Sequence, residues 1–461
     1  MDSKQDGSIF FAETEKEYKL KPFVWKEEFE NVFESGGFDY VFANPPYISM
    51  KKFPKDQVST IYKDFIMKNY TTFYDKSDIY CCFFELALRK TNGILKNGGK
   101  IGFITSSTYF AESSFAETRK LFFENNLLYY SIPRPDIFKP RAAVNASCIG
   151  IEKVEPNQKA VDIYEGERVK NKKNELVLEY NKTAKVDKKL IQKFDVLLTK
   201  VDKKTIKILE KVSSFTKLNE IVDIFNGVCT GNNNVWLRDK TKISGRKQWL
   251  DKNIKIFGTI RDKDGDEKVD TNLKDYYKGE HISRYYLHKT QYEVNYLAQK
   301  IKKFSQAGRP RSIDIFSDSA ILAKYISEDL QLVLKDKKEK IVDNNINIWK
   351  IKKEAEFTLS FILACCNSKL MNNYLNLLRS NISFSAGLFE KFITIPQATT
   401  ETQAEIAEWV RKLTDLYEIY YTQKDTWTPE TLKTEEARLV RVEYEIDKRV
   451  CDLYGVDYED L

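Results

Sequence analysis

The stretch FDYVFANPPYI, residues 38–48 of the 461-residue chain, limits the possible folds more than any other segment. Aromatic residues alternate along its first half, which predicts a strand of a buried sheet. Pro45 and Pro46 end that strand, because proline cannot donate a hydrogen bond to a neighbouring strand. Asn44 is therefore its last side chain, and Tyr47 lies on a loop that the prolines stiffen. An amide, a carbonyl and an aromatic ring at the carboxyl end of a strand suit a flat, amino-bearing heterocycle.

The segments that follow this loop alternate between helix and strand. Residues 78–90 carry apolar side chains at helical spacing, a Gly-Gly turn follows at 98–99, and residues 101–105 form an apolar strand. A second helix at 114–125 and a second buried strand at 146–152 continue the pattern. Alternation of this kind is typical of a parallel α/β sheet.

The alternation ends after the first third of the chain, and the predicted organisation changes there. We assign residues 1–160 to the α/β domain and interpret the polar residues 161–217 as a connector. Residues 218–396 contain many short strand-like runs and one predicted helix at 357–378, which favours an α+β domain. Two amphipathic helices in residues 397–461 predict an antiparallel helical hairpin.

The composition argues against several classes of protein. The 75 basic and 68 acidic residues leave a net charge of +7, which permits nucleic-acid binding without arguing strongly for it. The seven cysteines include no C-x-x-C pair and the chain has only two histidines, so we expect no metal site. No apolar run is long enough to span a membrane and the first residues do not resemble a signal peptide, so we expect a cytoplasmic protein.

The residues Asn44-Pro45-Pro46-Tyr47 have a specific chemical interpretation. The exocyclic N6 of adenine is a poor nucleophile, because its lone pair is delocalised into the ring. The Asn44 carboxamide oxygen and the Pro45 carbonyl could each accept one amino hydrogen, which frees the lone pair to attack a methyl sulfonium. Tyr47 would stack on the base once it is flipped out of the duplex. The alternative is that the four residues only form a strand-ending turn.

This motif and its surroundings resemble the catalytic region of the DNA amino-methyltransferases, in the adenine-N6 branch. SDIYCCFFELAL followed by LKNGGKIGFITSS resembles the segments after the family's motif, and DIFKPRAAVNASCIGIEK resembles a later one. The resemblance implies that Phe138 covers the second face of the flipped adenine, with a core phenylalanine as the alternative. It also implies that Asp78, Tyr80 and Phe83 touch the cofactor S-adenosylmethionine, which these three residues cannot bind alone.

Segments of the second half resemble the target-recognition domain of TaqI-like methyltransferases and single-chain type IIG restriction-modification enzymes; they are FNGVCTGNNNVWL, YYKGEHISRYYL, LACCNSKLMNNYL and LFEKFITIP. The resemblance implies that this domain binds double-stranded DNA. Arg284, Arg309 and Arg311 are candidates for reading guanine or binding phosphate, and Tyr285 and Tyr286 for packing on sugar. The alternative for each is an ordinary surface or core residue.

The chain departs from the family pattern upstream of the catalytic motif. The family binds S-adenosylmethionine at a glycine-rich turn and an acidic residue, and the 43 residues before Asn44 contain neither. The expected fold is therefore α/β, with a partial Rossmann-like methyltransferase sheet of later strands only, followed by an α+β target-recognition domain and a C-terminal helical hairpin. Residues 38–43 would form an exposed apolar edge of that sheet.

Three hypotheses for function remain open. The first is a site-specific DNA adenine-N6 methyltransferase of a restriction-modification or related phage-defence system, whose missing N-terminal half or second subunit supplies the cofactor site. The second is a catalytically inactive DNA-binding specificity module that works beside another subunit. The third is a methyltransferase-like enzyme acting on RNA or on protein amides. A variant of these is that the N-terminal segment covers the exposed edge and methylation has been lost. The recognised DNA sequence cannot be deduced, and no nuclease motif is evident.

Overall fold

The computed structural model describes residues 23–53, 56–138, 144–231, 233–241, 259–261, 267–269, 273–296, 301–302, 307–379 and 383–461. The chain divides into two compact units. The first ends at Asp202 and the second begins at Lys203, with the short segment Leu377–Ser380 grouped with the first. Among the helices described, none is long and apolar enough to cross a membrane.

The first unit is built on one six-stranded sheet. Its strands are β1 Phe38–Ala43, β2 Leu95–Ser106, β3 Asn126–Ser131, β4 Ala146–Glu152, β5 Ala160–Lys170 and β6 Leu176–Asp187. Its α-helices are α1 Trp25–Glu28, α2 Glu30–Glu34, α3 Gln57–Asn69, α4 Tyr80–Leu88, α5 Ala116–Phe123 and α6 Lys188–Phe194. Single 3₁₀ turns occur at Met50–Lys52, Ser107–Phe110 and Ser113–Phe115. The predicted helices and strands of the α/β domain are therefore confirmed, with ends that differ by up to six residues. The predicted turn at Gly98 and Gly99 is wrong, because both glycines lie within β2.

The strand order is β1-β2-β4-β3-β5-β6, so β1 lies at an edge of the sheet. β1 pairs with β2 in parallel and β3 pairs with β5 in parallel, whereas the other neighbours are antiparallel. Tyr40 and Phe42 on β1 are 60% and 77% exposed, which confirms the predicted apolar edge. The predicted burial of this strand is wrong, because Phe38, Val41 and Ala43 on it are only half-buried. The alternative that the N-terminal segment covers this edge falls on residues 1–22, which lie outside the described residues.

The two faces of this sheet differ. On one face the ring of Phe84 from α4 lies 4.9 Å from Phe103 of β2 and 4.8 Å from Phe122 of α5, so helices cover a buried aromatic core. On the opposite face, Phe42 lies flat over Gly102, where a Cβ atom would be 2.7 Å from its ring. We call this second surface the open face, because exposed aromatic rings rather than helices lie on it among the residues that the structure describes.

The predicted connector at residues 161–217 is wrong for its first part. Residues 160–187 form β5 and β6, a hairpin that extends the sheet, and the first unit continues to Asp202. The outer half of this hairpin is mostly exposed, with only Gly166 buried, and its many charged residues give it the composition of a connector.

The second unit contains several small sheets and surrounding helices, as predicted for an α+β domain. Two four-stranded sheets have the orders β17-β16-β19-β8 and β18-β12-β15-β9, and the remaining strands form three two-stranded pairs. The strands are β7 Thr216–Lys217, β8 Val222–Asn226, β9 Leu237–Asp239, β10 Thr259–Arg261, β11 Glu267–Val269, β12 Leu273–Tyr277, β13 Ile282–Ser283, β14 Tyr286–Leu287, β15 Tyr292–Asn295, β16 Ala320–Lys324, β17 Leu332–Lys335, β18 Ile341–Val342, β19 Ile346–Ile351 and β20 Thr394–Ile395.

The α-helices of the second part of the chain are α7 Lys203–Val212, α8 Leu218–Ile221, α9 Asn233–Trp236, α10 Asp314–Ser317, α11 Leu359–Asn367, α12 Lys369–Leu378, α13 Ala386–Phe392, α14 Thr400–Gln423 and α15 Pro429–Tyr454. The helix predicted at 357–378 is interrupted at Ser368, whose hydroxyl caps the second half by accepting from Met371 N at 3.1 Å. The last two helices form the predicted hairpin, and they belong to the same compact unit as the α+β domain.

Candidate active site

The residues of the Asn-Pro-Pro-Tyr motif meet at the carboxyl end of β1. Asn44 is exposed, Pro45 is buried, and Tyr47 turns back towards the sheet. The Tyr47 hydroxyl lies 3.0 Å from Asn44 Oδ1 and 3.2 Å from the Ile104 carbonyl oxygen, and can donate to either. This arrangement orients the carboxamide oxygen. An incoming amino group would either share this acceptor with the Tyr47 hydroxyl or displace the hydroxyl from it.

Two other aromatic rings lie beside Tyr47. The ring centroid of Phe138 is 6.3 Å away with the planes at 60°, and that of Tyr80 is 6.0 Å away with the planes at 81°. The structure therefore brings the predicted base-stacking pair, Tyr47 and Phe138, to the same place. Burial, followed by the nearby Cys148 and Asp78, raises the pKa of Tyr47 to about 12, so its hydroxyl stays protonated and remains a donor at neutral pH.

Phe138 is held by a small polar network at the root of the β5–β6 hairpin. Arg134 binds both carboxylate oxygens of Asp136 at 3.0 Å and donates to the carbonyl of Gly166 on β5. Arg168 Nη2 donates to the Asp136 backbone carbonyl at 2.7 Å. Asp136 is two residues before Phe138, so the hairpin positions the loop that carries this ring.

A cleft of about 440 Å³ lies on the open face next to Asn44, which is within the size range of small-molecule sites. It is lined by Phe42, Ala43, Asn44, Gly102, Phe103, Ile104, Tyr129 and Cys148. Burial raises the pKa of the Cys148 thiol, whose sulfur lies 3.4 Å from the Tyr180 hydroxyl. The cleft is thus mainly apolar, with the Asn44 carboxamide as a polar group at one end. The sequence analysis missed it, although a glycine within an apolar strand, such as Gly102, signals a close approach.

The three residues predicted to touch the cofactor differ in accessibility. Asp78 is half-buried next to the loop that follows Tyr47, because Ile79 N donates to the Ile48 carbonyl at 3.0 Å. Phe83 on α4 is 37% exposed. Tyr80 is fully buried and its hydroxyl lies 2.7 Å from Thr108 Oγ1, so its position does not fit direct contact with a cofactor.

Asp78 is expected to make the stability of the first unit depend on pH. Burial raises its pKa from 3.8 to about 6, although backbone N–H groups and Lys52 oppose the shift. The folded state therefore holds the proton more tightly than the unfolded state, and the carboxylate costs stability as pH rises from about 4 to about 6. Asp78→Asn should stabilise the protein at pH 7.5 by on the order of 1 kcal/mol, the shift being discounted for partial exposure.

This gain should shrink at pH 5, where wild-type Asp78 is already largely protonated. Urea unfolding at the two pH values measures the difference, and Asp64→Asn on the exposed surface of α3 is the matched control. An equal effect of Asp78→Asn at both pH values would contradict the assignment.

The predicted DNA contacts of the second unit are not equally available. Arg284 Nη2 donates to the Asn367 carbonyl at 2.8 Å and Nη1 lies 3.7 Å from Glu443, so the guanidinium faces the protein. Tyr285 is 1% exposed, which is inconsistent with the prediction that it packs on a sugar. Tyr286 is also buried, at 6% exposure, and stacks on Tyr421 with ring centroids 4.8 Å apart.

Arg309 and Arg311 lie on a loop that is more accessible. Arg309 is exposed. Its backbone pairs with that of Cys229, and Arg309 N donates to the Cys229 carbonyl at 2.7 Å. Arg311 is half-buried, and its backbone N and O both bond to the Tyr296 hydroxyl. A contact of either arginine with DNA remains a prediction. Within the described residues, no cluster of His, Cys, Asp or Glu suited to a metal ion occurs.

Two family models match separate parts of the chain. Residues 2–133 match the Eco57I restriction-modification methylase family, and residues 274–395 match the TaqI-like C-terminal specificity domain. The first match contains the Asn44 site and the second lies in the α+β unit. These matches confirm the resemblance inferred from the sequence motifs.

Curated proteins with similar sequences are restriction-modification enzymes. The chain is 31% identical over 170 residues to a putative type II restriction enzyme and methyltransferase, RM.MjaORFECS2P of Methanocaldococcus jannaschii, covering 36% of this chain and 13% of that protein. It is 26% identical over 126 residues to the type II methyltransferase M.BstVI of Geobacillus stearothermophilus, covering 26% of this chain and 21% of that protein. The matched regions are thus about a fifth or less of these relatives' lengths.

Solved structures include a similar fold. The type IIL restriction-modification enzyme MmeI, solved in complex with DNA, aligns with a TM-score of 0.55 and 12% identity, over 93% of this chain and 56% of that chain. At this identity the alignment supports the fold alone, and the chain spans little more than half of that structure.

Proposed function

We propose that this chain, which joins a segment of the Eco57I restriction-modification methylase family to a TaqI-like C-terminal specificity domain, is the base-holding and DNA-reading part of a site-specific DNA adenine-N6 methyltransferase. One observation carries the proposal. At the end of β1, Asn44 Oδ1 is oriented by the Tyr47 hydroxyl at 3.0 Å, and the rings of Tyr47 and Phe138 lie 6.3 Å apart.

These residues have defined roles in the proposed reaction. Asn44 Oδ1 and the Pro45 carbonyl accept the two amino hydrogens of a flipped adenine, which localises the N6 lone pair for methyl transfer. Tyr47 stacks on the base and Phe138 closes its other side. Because Asn44 Oδ1 now lies within hydrogen-bonding distance of the Tyr47 hydroxyl, base binding replaces one donor by another and leaves no acceptor unpaired.

We infer that the residues of this chain do not by themselves form a site for S-adenosylmethionine. Tyr80 is buried, and no glycine-rich turn followed by an acidic strand end occurs before Asn44. We therefore assign methyl-donor binding in the complete enzyme to a further polypeptide, either a missing N-terminal half or a second subunit. The exposed β1 edge supports this assignment, because an apolar edge strand with unpaired backbone groups is a surface on which another polypeptide can pair.

The second candidate function is a catalytically inactive specificity module. The same lack of a donor site favours it, and the TaqI-like specificity domain would serve it equally well. It differs from the first proposal in one respect, since it requires no methyl transfer even when the complementing polypeptide is present. That specificity domain also favours DNA over RNA or protein amides as the substrate.

Tyr47→Ala is expected to weaken capture of an extrahelical adenine by roughly 5- to 150-fold, because stacking of a base on an aromatic ring contributes about 1–3 kcal/mol. Tyr47→Phe keeps the ring and removes only the hydroxyl that lies near Asn44 Oδ1, so we expect an affinity close to wild type. Fluorescence of 2-aminopurine placed opposite an abasic site in a duplex measures this capture. Equal binding by the Ala and Phe variants would contradict the stacking role of Tyr47.

A further inference from the structure

The outer half of the β5–β6 hairpin projects from the sheet of the first unit. Tyr164 is the last residue of β5 that pairs with β3. Beyond it, residues 165–181 form strand pairs only with one another in the described structure. We call residues 165–181 the arm. About six residues on each strand project, which gives a length of about 20 Å at 3.3 Å per residue. A two-stranded ribbon of this kind fits the major groove of DNA.

The tip of the arm is positively charged and rigid. Lys170, Lys172 and Lys173 are exposed, and none of the ion pairs between described residues includes them. Asn171 Oδ1 accepts from Lys173 N and from Glu175 N at 2.9 Å each, and this closes the turn. Because the turn is held by hydrogen bonds, little conformational entropy of the backbone would be lost on binding.

The arm also carries four carboxylates, one of which lies in the turn beside these lysines. Glu175, at the far side of the turn, accepts from Asn171 Nδ2 at 2.9 Å, and Glu165, Glu167 and Glu179 lie nearer the root. The tip segment from Val169 to Glu175 carries three lysines and one carboxylate, which leaves a net charge of +2. A polyanion is the partner that this segment would attract most strongly.

The root of the arm is connected to the candidate base site. Arg168 on the arm donates to the Asp136 carbonyl at 2.7 Å, and Arg134 donates to Gly166 on the arm. Asp136 precedes Phe138, whose ring lies 6.3 Å from that of Tyr47. The position of the lysines is therefore fixed relative to a base held at Asn44. The length of the arm corresponds to about six base pairs of duplex at 3.4 Å per pair.

We propose that the arm binds the phosphate backbone of duplex DNA beside the base held at Asn44, with Lys170, Lys172 and Lys173 as the contacting side chains. This inference rests on the proposed function, because it takes DNA as the substrate. A protein partner is the competing interpretation, since Leu176 at the tip is 67% exposed. Three cations against one apolar side chain favour phosphate.

The test compares a double variant of the arm, Lys172→Gln with Lys173→Gln, with a matched control. The control is Lys90→Gln with Lys120→Gln, two exposed lysines of the same unit that remove the same charge. Fluorescence anisotropy with a labelled duplex of mixed sequence, at several salt concentrations, gives the affinity and its salt dependence. We expect the arm variant to bind roughly 10-fold more weakly near 0.1 M salt, with a log–log salt slope lower by about 1.8.

The outcomes separate this inference from the proposed function. If wild type binds duplex and the arm variant behaves as the control does, the arm proposal is overturned and the proposed function stands. Weaker binding with an unchanged salt slope would also overturn it, as would a larger loss from Leu176→Gln, a variant that preserves every charge. If wild type fails to bind duplex at all, both proposals fail. All substituted side chains are exposed, so unchanged thermal unfolding is expected and verifies folding.

Discussion

Asn44→Ala is expected to lower methyl transfer to adenine N6 by roughly 10²- to 10³-fold, the loss typical of removing one hydrogen-bonding group that stabilises a transition state. The Asn44 carboxamide oxygen is at the carboxyl end of β1 and is oriented by Tyr47 at 3.0 Å. Without it, one amino hydrogen of the base has no acceptor and the N6 lone pair remains delocalised into the ring. The assay is single-turnover transfer of a labelled methyl group to duplex DNA by the chain complemented with the donor-binding polypeptide.

The loss should be in the rate of transfer and not in DNA binding. Asn44 contacts the reacting group alone in this account, so duplex affinity should change by less than about twofold. Asn31→Ala is the matched control, because it makes the same substitution at an exposed asparagine of α2 and should transfer methyl groups at the wild-type rate. Methylation that survives in the Asn44 variant would show that the carboxamide has a structural role only.

The position of the Asn-Pro-Pro-Tyr motif at the end of a strand could be predicted from the sequence because its determinants are local. Two consecutive prolines end a strand wherever it lies, and this places Asn44 and Tyr47 at the strand terminus without any knowledge of the tertiary fold. The hydrogen bonds of the Tyr47 hydroxyl were not predictable in the same way. One candidate partner is Ile104, 57 residues later in the chain, and it meets Tyr47 only because β1 and β2 pair in parallel.

The β5–β6 hairpin shows where composition is a poor guide. The outer halves of its two strands are mostly exposed, so the alternation of apolar residues that identifies a half-buried strand is weak there. The hydrogen bonds that position the loop of Phe138 also join residues that are far apart in the sequence. Arg134 donates to the Gly166 carbonyl, and Arg168 donates to the Asp136 carbonyl. A charged segment that looks like a connector thus contributes both to the sheet and to the surroundings of the candidate site.

Burial depends on the tertiary fold, and the local sequence does not determine it. Arg119 on α5 is fully buried, with its guanidinium bound to Asp195 at 2.6 Å and to the Tyr109 and Glu112 carbonyls. Nothing local distinguishes it from an exposed helical arginine. The same limit applies to Tyr285, which is predicted to contact DNA and is instead 1% exposed. Long amphipathic side chains are found at both surface and core positions, so residue type alone does not separate the two.

The central claim is that this chain holds the DNA-binding and base-holding groups but not the methyl-donor site. Isothermal calorimetry on the isolated chain tests it most directly, with S-adenosylmethionine and duplex DNA titrated separately into the same preparation. DNA binding in that preparation is the control for correct folding. We expect duplex binding that weakens with salt, and binding of S-adenosylmethionine weaker than about 1 mM. Micromolar binding of S-adenosylmethionine by the isolated chain would contradict the account.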